Sequence, residues 1–137
     1  MFMLVLAAAV LGCGDLCGPE ATGHYAALLE EGGYGRLSHE RAAFLIREDG
    51  GAITLAPWGA SAGFQRVSYS GGIPSGAIAV VHTHPLGAPK PSAGDHEEAK
   101  RTGLPVVVIT PSAVVAAMPD GTARTLIAGP RWWRSAR

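Results

Sequence analysis

The amino-acid sequence predicts one α/β domain of the α+β type, built from short β-strands and two helices. The chain has 137 residues, a length that suits a single hydrophobic core. Apolar residues make up 47% of the sequence and charged residues 16%, which is typical of a globular fold and argues against disorder. Its 19 glycines and 10 prolines indicate frequent turns between short elements.

The charge of the chain gives no indication of a polyanionic partner. Lys and Arg together number 11, as do Asp and Glu, so the formal net charge is zero. The basic residues are spread along the chain and form no run that would attract nucleic acid. We therefore predict that the protein has no nucleic-acid partner.

The first half of the chain predicts a helix followed by a β-hairpin. Residues 20–31 show apolar side chains at helical spacing, and a Gly-Gly pair ends the segment. Residues 41–47 contain the apolar run Ala-Ala-Phe-Leu-Ile and predict a strand. The turn Glu-Asp-Gly-Gly at 48–51 then returns the chain into a second strand at 52–57.

The second half predicts a buried strand, a helix and further strands. Residues 59–76 are rich in Gly and Ser and predict a loop with one short strand near 67–69. The continuous apolar run at 77–81 is typical of a buried central strand. The remaining segments are a helix at 92–102 and strands at 105–110, 114–118 and 123–127.

Two interpretations remain open for the N-terminus. Residues 1–11 are apolar and resemble the hydrophobic region of an export signal, so residues 1–18 are a candidate leader. The run 10–13 also resembles a lipobox, in which Cys13 would carry lipid and attach the protein to a membrane. No Lys or Arg precedes the apolar run, and a buried first strand or helix is the alternative. A disulfide between Cys13 and Cys17 would require an oxidising compartment.

The segment 130–137 is a basic, aromatic tail that contains the run Arg-Trp-Trp-Arg. We expect a surface tail that packs onto the domain through its tryptophans. A binding motif is the alternative interpretation of the same residues.

The most informative segment reads His-Thr-His-Pro at 82–85, followed after six residues by Ser92 and then by Asp95. Alternate residues of a strand point to the same face, so His82 and His84 should face one side. The proline after them directs the chain out of the sheet.

The start of the following helix can bring a carboxylate to the same place. Ser92 is a favourable N-cap, and Asp95 in the first turn would project back towards the strand end. Two imidazoles and one carboxylate, from His82, His84 and Asp95, can then converge on a metal ion. Three protein ligands leave the fourth tetrahedral position of zinc to water, which marks a catalytic site, and bound zinc lowers the pKa of that water towards 7.

Each of these residues has a simpler explanation when it is taken alone. A histidine near a strand end is usually a surface or hydrogen-bonded residue, and Ser92 with Asp95 could be only a helix cap. For the two histidines, the proline, the serine and the aspartate all to match at fixed offsets by chance, the probability is on the order of 10⁻⁵ for the whole chain. The joint pattern therefore favours a metal site.

The segment resembles the JAB/MPN metalloprotease family, in its short prokaryotic type. The JAMM motif of that family is an upstream Glu, then His-Ser/Thr-His-Pro, six residues and Ser-x-x-Asp, and every downstream element is present here. The resemblance extends over about 20–127, within a domain at 19–129. It implies a mixed β-sheet flanked by helices, the JAB/MPN (cytidine-deaminase-like) architecture.

The upstream glutamate of the family is a general base, and Glu40 is its best-placed candidate here. Glu40 precedes the apolar run at 42–46, as in the first strand of the family. Glu30, Glu31 and Glu48 are the alternatives, although the first two end a helix and the third lies in the hairpin turn.

The resemblance implies a zinc-dependent peptidase or isopeptidase with His82, His84 and Asp95 as metal ligands. Glu40 would take a proton from water activated by the metal and return it to the leaving amine. Ser92 would stabilise the oxyanion, or would serve only as the helix cap. A non-catalytic JAB/MPN scaffold or interaction domain is the alternative function.

The implied partner is a protein or peptide substrate, and a ubiquitin-like modifier is one candidate. The chain looks too short to carry the insertions with which eukaryotic relatives grip ubiquitin. A real leader would make the protein periplasmic or lipid-anchored, and without a leader it would be cytoplasmic. The oligomeric state is left open.

Overall fold

In the part of the chain that the structure describes, one six-stranded sheet and two α-helices form the domain. The structure is a computed structural model, and it describes residues 13–35, 40–58, 72–84 and 89–136. The helices are α1 (Pro19–Glu31) and α2 (Ala93–Thr102). The strands are β1 (Ala42–Arg47), β2 (Ile53–Pro57), β3 (Ala77–Thr83), β4 (Val106–Ile109), β5 (Ala113–Ala117) and β6 (Ala123–Ala128).

The strands lie in the order β2-β1-β3-β4-β5-β6, with β3 and β4 at the centre. These two central strands are parallel, and the other four neighbouring pairs are antiparallel. A parallel pair needs a crossover connection, which α2 supplies between β3 and β4. The mixed sheet with its helices confirms the predicted fold class, and β3 is the buried central strand predicted from residues 77–81.

Alternating side chains give the sheet two apolar faces. Leu45 and Val81 belong to the larger cluster, which also contains the buried side chains of α1. Phe44 and Val80 belong to a smaller cluster on the opposite face, together with Ala99 of α2. Because neighbouring residues of a strand point in opposite directions, β1 and β3 each contribute to both clusters.

Helix α1 is fixed to the edge strand β2 through the backbone of Ile53. The carboxylate of Glu20 accepts a hydrogen bond from Ile53 N–H at 3.0 Å, and Nε2 of His24 lies 2.7 Å from the Ile53 carbonyl oxygen. The hydroxyl of Tyr25, on the buried side of the helix, donates to the Leu16 carbonyl at 2.8 Å. Burial raises the pKa of Tyr25 well above its usual range, which keeps the phenol a neutral donor.

The C-terminal tail packs onto the domain through both tryptophans, in agreement with the packing interpretation of the sequence. Trp132 is buried, and its indole N–H donates to the Thr110 carbonyl at 2.7 Å. Trp133 lies against Tyr34, with ring centres 4.7 Å apart. The indole rings therefore contribute to the packing around α1.

Near the N-terminus, Cys13 and Cys17 are joined in a disulfide. This bond uses the thiol of Cys13 that lipid would need, so disulfide and lipid exclude each other at this residue. In the ranges that the structure describes, no helix combines the length and the apolar character needed to cross a membrane. The residues predicted to form the leader (1–18) lie mostly outside those ranges, and the strand predicted near 67–69 lies wholly outside them.

Candidate metal centre

Both histidines lie at the carboxyl end of the central strand β3. His82 is in the strand and His84 follows it directly, so the two side chains share one face of the sheet. Each residue is 8% exposed, and the ring centres are 4.8 Å apart with their planes at 75°. Two imidazoles are thus held side by side and almost out of contact with water.

Asp95 reaches both imidazoles from the first turn of α2. Ser92 is the N-cap: its hydroxyl accepts from Asp95 N–H at 3.2 Å, and its own N–H donates to Asp95 Oδ2 at 2.7 Å. This capping box turns the carboxylate back towards β3. Its Oδ1 lies 2.9 Å from Nε2 of His82, and its Oδ2 lies 3.3 Å from Nε2 of His84.

Glu40 approaches the same point from the segment that leads into β1. The register pairs Ala42 with His82, so Glu40, two residues earlier, falls beside the two histidines. Its Oε2 is 3.8 Å from Nδ1 of His82, and its side chain is 19% exposed. Glu40, His82 and His84 each offer one ligand atom, and these atoms all lie within 4.8 Å of one another. This group could hold a metal ion, with the carboxylate of Asp95 in contact with both imidazoles.

The alternative glutamates occupy other environments. The carboxylate of Glu48 accepts a hydrogen bond from the Thr54 hydroxyl at 2.8 Å across the β1–β2 hairpin, and it is exposed. Glu30 and Glu31 are exposed in the last turn of α1. Of the four candidates, Glu40 is therefore the one that the structure brings to the histidines.

The carboxylates set the charge of the site in the absence of metal. Burial lowers the pKa of His82, but the close approach of the Asp95 and Glu40 carboxylates, which favours the imidazolium form, outweighs it and raises the pKa to about 9. Burial raises the pKa of Asp95, but His82 and His84 hold it well below its usual range. At neutral pH the metal-free site is thus an imidazolium beside a carboxylate, and a metal ion has to displace a proton to bind.

The environment of His82 Nε2 shows that these residues fit a metal ion. This buried atom is only 2.9 Å from Asp95 Oδ1, but it is not aligned for a hydrogen bond to that oxygen or to any other described residue. A buried polar atom without a partner is costly, and a metal ion between the imidazole and the carboxylate would satisfy both groups. Imidazole nitrogens together with carboxylate oxygens are also a donor set that suits zinc and related transition metals.

Two features beside the centre were not predicted from the sequence. One is the hydroxyl of Thr83, which accepts the N–H of Arg41, the residue after Glu40, at 2.9 Å. The other is a cleft that continues from the centre past Trp58. Strand alternation was the available signal for Thr83, because it sends this residue to the face opposite the histidines. For the cleft, alternation indicates only that Val80 shares the histidines' face.

Comparisons with known proteins agree with this geometry. A family model described as prokaryotic homologs of the JAB domain matches residues 36–126, which is more than half of the chain. The match includes β1 to β5, α2 and all the residues that meet at the centre, whereas α1 lies before it. A search of curated proteins finds no match to the chain. The protein therefore belongs to the JAB/MPN family, as a member of its short prokaryotic type.

Proposed function

We propose that the protein is a zinc-dependent peptidase or isopeptidase, which uses water to hydrolyse an amide bond. The observation that carries this proposal is the meeting of Glu40, His82, His84 and Asp95 at one buried point of a JAB/MPN domain. Two imidazoles and one carboxylate provide three protein ligands, which is the number found in catalytic zinc sites, where the fourth position is kept for water.

His82, His84 and Asp95 are the proposed metal ligands. Zinc bound there supplies a Lewis acid and lowers the pKa of water towards neutrality. The capping box with Ser92 fixes the carboxylate of Asp95, and the central strand fixes both imidazoles. The ligand atoms are therefore held in place before metal binds, which favours a defined site over a surface cluster.

Glu40 is the proposed general base. Its carboxylate is close to His82 yet remains 19% exposed, so it can meet both a water molecule and a substrate. It would accept a proton from the attacking water and pass that proton to the leaving amine.

Ser92 is the proposed oxyanion donor. Its Oγ accepts the N–H of Asp95 through a lone pair, which leaves the hydroxyl hydrogen available to another acceptor. Ser92 is exposed, so a substrate oxygen can reach this hydrogen. The residue can thus cap α2 and stabilise developing negative charge at the same time.

Replacing Glu40 by Gln tests the assignment of the base. We expect turnover to fall by about 10² to 10⁴-fold, because the amide cannot accept the proton, while zinc stays near one equivalent per chain. Hydrolysis of a peptide and isopeptide panel and zinc content by elemental analysis are the two measurements. Glu48→Gln is the matched control, since Glu48 lies in the hairpin turn and should leave both values unchanged.

The outcomes of this experiment separate three roles. Full activity of Glu40→Gln would contradict the proposed base. Loss of zinc together with activity would make Glu40 a metal ligand instead. Wild-type protein that holds well below one equivalent after zinc-replete purification, and cleaves nothing, would favour the non-catalytic scaffold.

The proposed partner is a protein or peptide substrate, with a ubiquitin-like modifier as one candidate. The panel should therefore contain both linear peptide bonds and lysine isopeptide bonds. The class that is cleaved decides between peptidase and isopeptidase.

A further inference from the structure

A cleft of about 600 Å³ opens on the sheet face that carries the metal centre. Glu40, His82 and Asp95 line one part of it. Trp58 and the second half of α2 line the rest. The metal centre is therefore one part of a larger cavity, whose size lies in the ordinary range for ligand sites.

The floor of the cleft is apolar because of the same alternation that presents the histidines. Phe44 on β1 pairs with Val80 on β3, and Val80 pairs with Val106 on β4, so these three side chains form one row across the sheet. The next row along the strands contains Ala42 and His82. A step of two residues, roughly 7 Å, thus leads from the metal centre to an apolar surface.

The two walls of the cleft differ in chemistry. On one side, the ring of Trp58 lies 5.4 Å from that of Phe44, and the half-exposed side chain of Ile73 adds a further apolar group. On the other side, α2 presents Glu98 and Arg101, which form an ion pair with each other. An occupant would rest on the apolar floor and aromatic wall, and its polar parts would face α2 or water.

We propose that this cleft is a side-chain subsite, which selects peptides that carry a large apolar residue, above all an aromatic one, next to the bond that is cleaved. The inference rests on the proposed function, because it places the reacting carbonyl at the metal centre. A side chain one residue from that carbonyl spans the roughly 7 Å to the floor, whereas glycine leaves the cleft filled with water. Burial of a large apolar side chain favours such substrates by roughly tenfold to a hundredfold.

The test uses peptide pairs that differ only in Phe or Gly, with the pair placed at each position on either side of the scissile bond. Binding is measured by calorimetry on zinc-loaded Glu40→Gln protein, and kcat/KM is measured on the wild type. We expect one position at which Phe improves binding and kcat/KM by at least tenfold over Gly. Binding to Glu40→Gln reports on the cleft even where no turnover occurs.

Substitutions of the wall test where the preference originates. Trp58→Ala should reduce the Phe-to-Gly ratio several-fold, and Trp58→Phe should keep most of it. Trp133→Ala is the matched control, because Trp133 is also half-buried against one aromatic ring, that of Tyr34, in the other apolar cluster. Should Trp58→Ala fail to fold, Ile73→Ser alters the same cleft at an exposed position.

Failure of this inference and failure of the proposed function give different results. Equal binding of Phe and Gly peptides at every position overturns the subsite, whether or not the peptides are cleaved. A Phe preference that Trp58→Ala and Ile73→Ser leave unchanged also overturns it. A Phe preference in binding that depends on these residues, in a wild-type protein that cleaves nothing, supports the subsite and overturns the peptidase.

Discussion

At the scale of single residues, Thr83 links the two halves of the candidate metal centre. It lies between His82 and His84 and points to the opposite face of the sheet, where it is buried. Its backbone N–H donates to the Arg41 carbonyl, and its hydroxyl accepts from Arg41 N–H, both at 2.9 Å. One residue of β3 thus holds both polar backbone groups of the residue that follows Glu40, and so fixes Glu40, the proposed base, relative to the imidazoles.

We expect Thr83→Val to impair turnover more than stability. Valine keeps the shape but not the acceptor, so the free energy of unfolding should fall by about 1 kcal/mol. Displacement of Glu40 should lower kcat by roughly tenfold to a hundredfold with little change in KM. Denaturant unfolding and steady-state kinetics are the measurements, and Thr83→Ser, which keeps the hydroxyl, should recover most of kcat.

Thr110 provides the control for this experiment. It is also a buried threonine, and its hydroxyl makes hydrogen bonds to the backbone of Ala113 and not to the segment that carries Glu40. Thr110→Val should therefore lose stability without losing kcat. Equal kcat in folded Thr83→Val and wild-type protein would refute the positioning role.

At the scale of elements, much of the fold could be predicted because Gly, Pro and Ser mark the element ends. The predicted helix 20–31 is observed as Pro19–Glu31, and the predicted helix 92–102 begins after its cap at Ala93. The predicted strand at 77–81 extends to Thr83, because pairing with β1 and β4 continues through His82 and Thr83. The sequence did not predict that the strand continues past residue 81, because polar histidines are typical of a strand end or a loop.

The cleft beside the candidate metal centre could not be predicted from the same patterns. It depends on where α2 packs, which is against β4 and β5, and on the approach of the Trp58 ring, just after β2, to the Phe44 ring on β1. Such distances are set by tertiary packing, whereas spacing in the sequence reports only which side chains share a face. The cluster of proposed ligands could be predicted from the sequence, because its histidines are two residues apart and its aspartate is placed by a helix cap.

The start of α2 offers a test of the two roles of Ser92. Ser92→Ala removes the cap and should lower the free energy of unfolding by about 1 kcal/mol, whereas Ser92→Gly should cost only a few tenths. If the hydroxyl also stabilises the oxyanion, both variants should lose roughly 10² to 10³-fold in kcat. If activity follows stability instead, with Gly close to wild type, Ser92 is only a cap. Thermal unfolding and steady-state kinetics on the same samples decide between these outcomes.

At the scale of the whole molecule, the sheet separates the main apolar core from the site of the proposed chemistry. The face towards α1 carries the larger apolar cluster, which Trp132 also joins. The face towards α2 carries a smaller cluster, the charged centre and the cleft. Charged groups at the centre should therefore make the stability of the metal-free protein depend on pH.

We expect the metal-free protein to lose stability as the pH rises from 7 to above 9. The pKa of His82 is raised from 6.5 to about 9, so its stabilisation is complete below pH 6.5 and is lost as the pH passes 9. The pKa of Asp95 is lowered, so its contribution is present above 3.8 and is lost as the pH falls further. The increase in Tm on addition of zinc should grow over the same alkaline range, because zinc no longer competes with a proton.

Calorimetric scans at several pH values, with and without zinc, measure both trends. His82→Asn should flatten the alkaline loss of Tm in the metal-free protein. A wild-type Tm that stays constant from pH 7 to 9.5 without zinc would contradict the charge assignment of the site.

The attachment of α1 to Ile53 has a practical consequence for anyone who works with this protein. The stretch matched by the family begins at residue 36, after the helix has ended. A fragment cut at that boundary would keep every proposed ligand. Without α1, however, Leu45, Val81 and Ile109 would be exposed to solvent, and the fragment would be prone to aggregation. The shortest piece fit for recombinant expression therefore reaches back to Leu16 at least, well beyond the part that holds the proposed ligands.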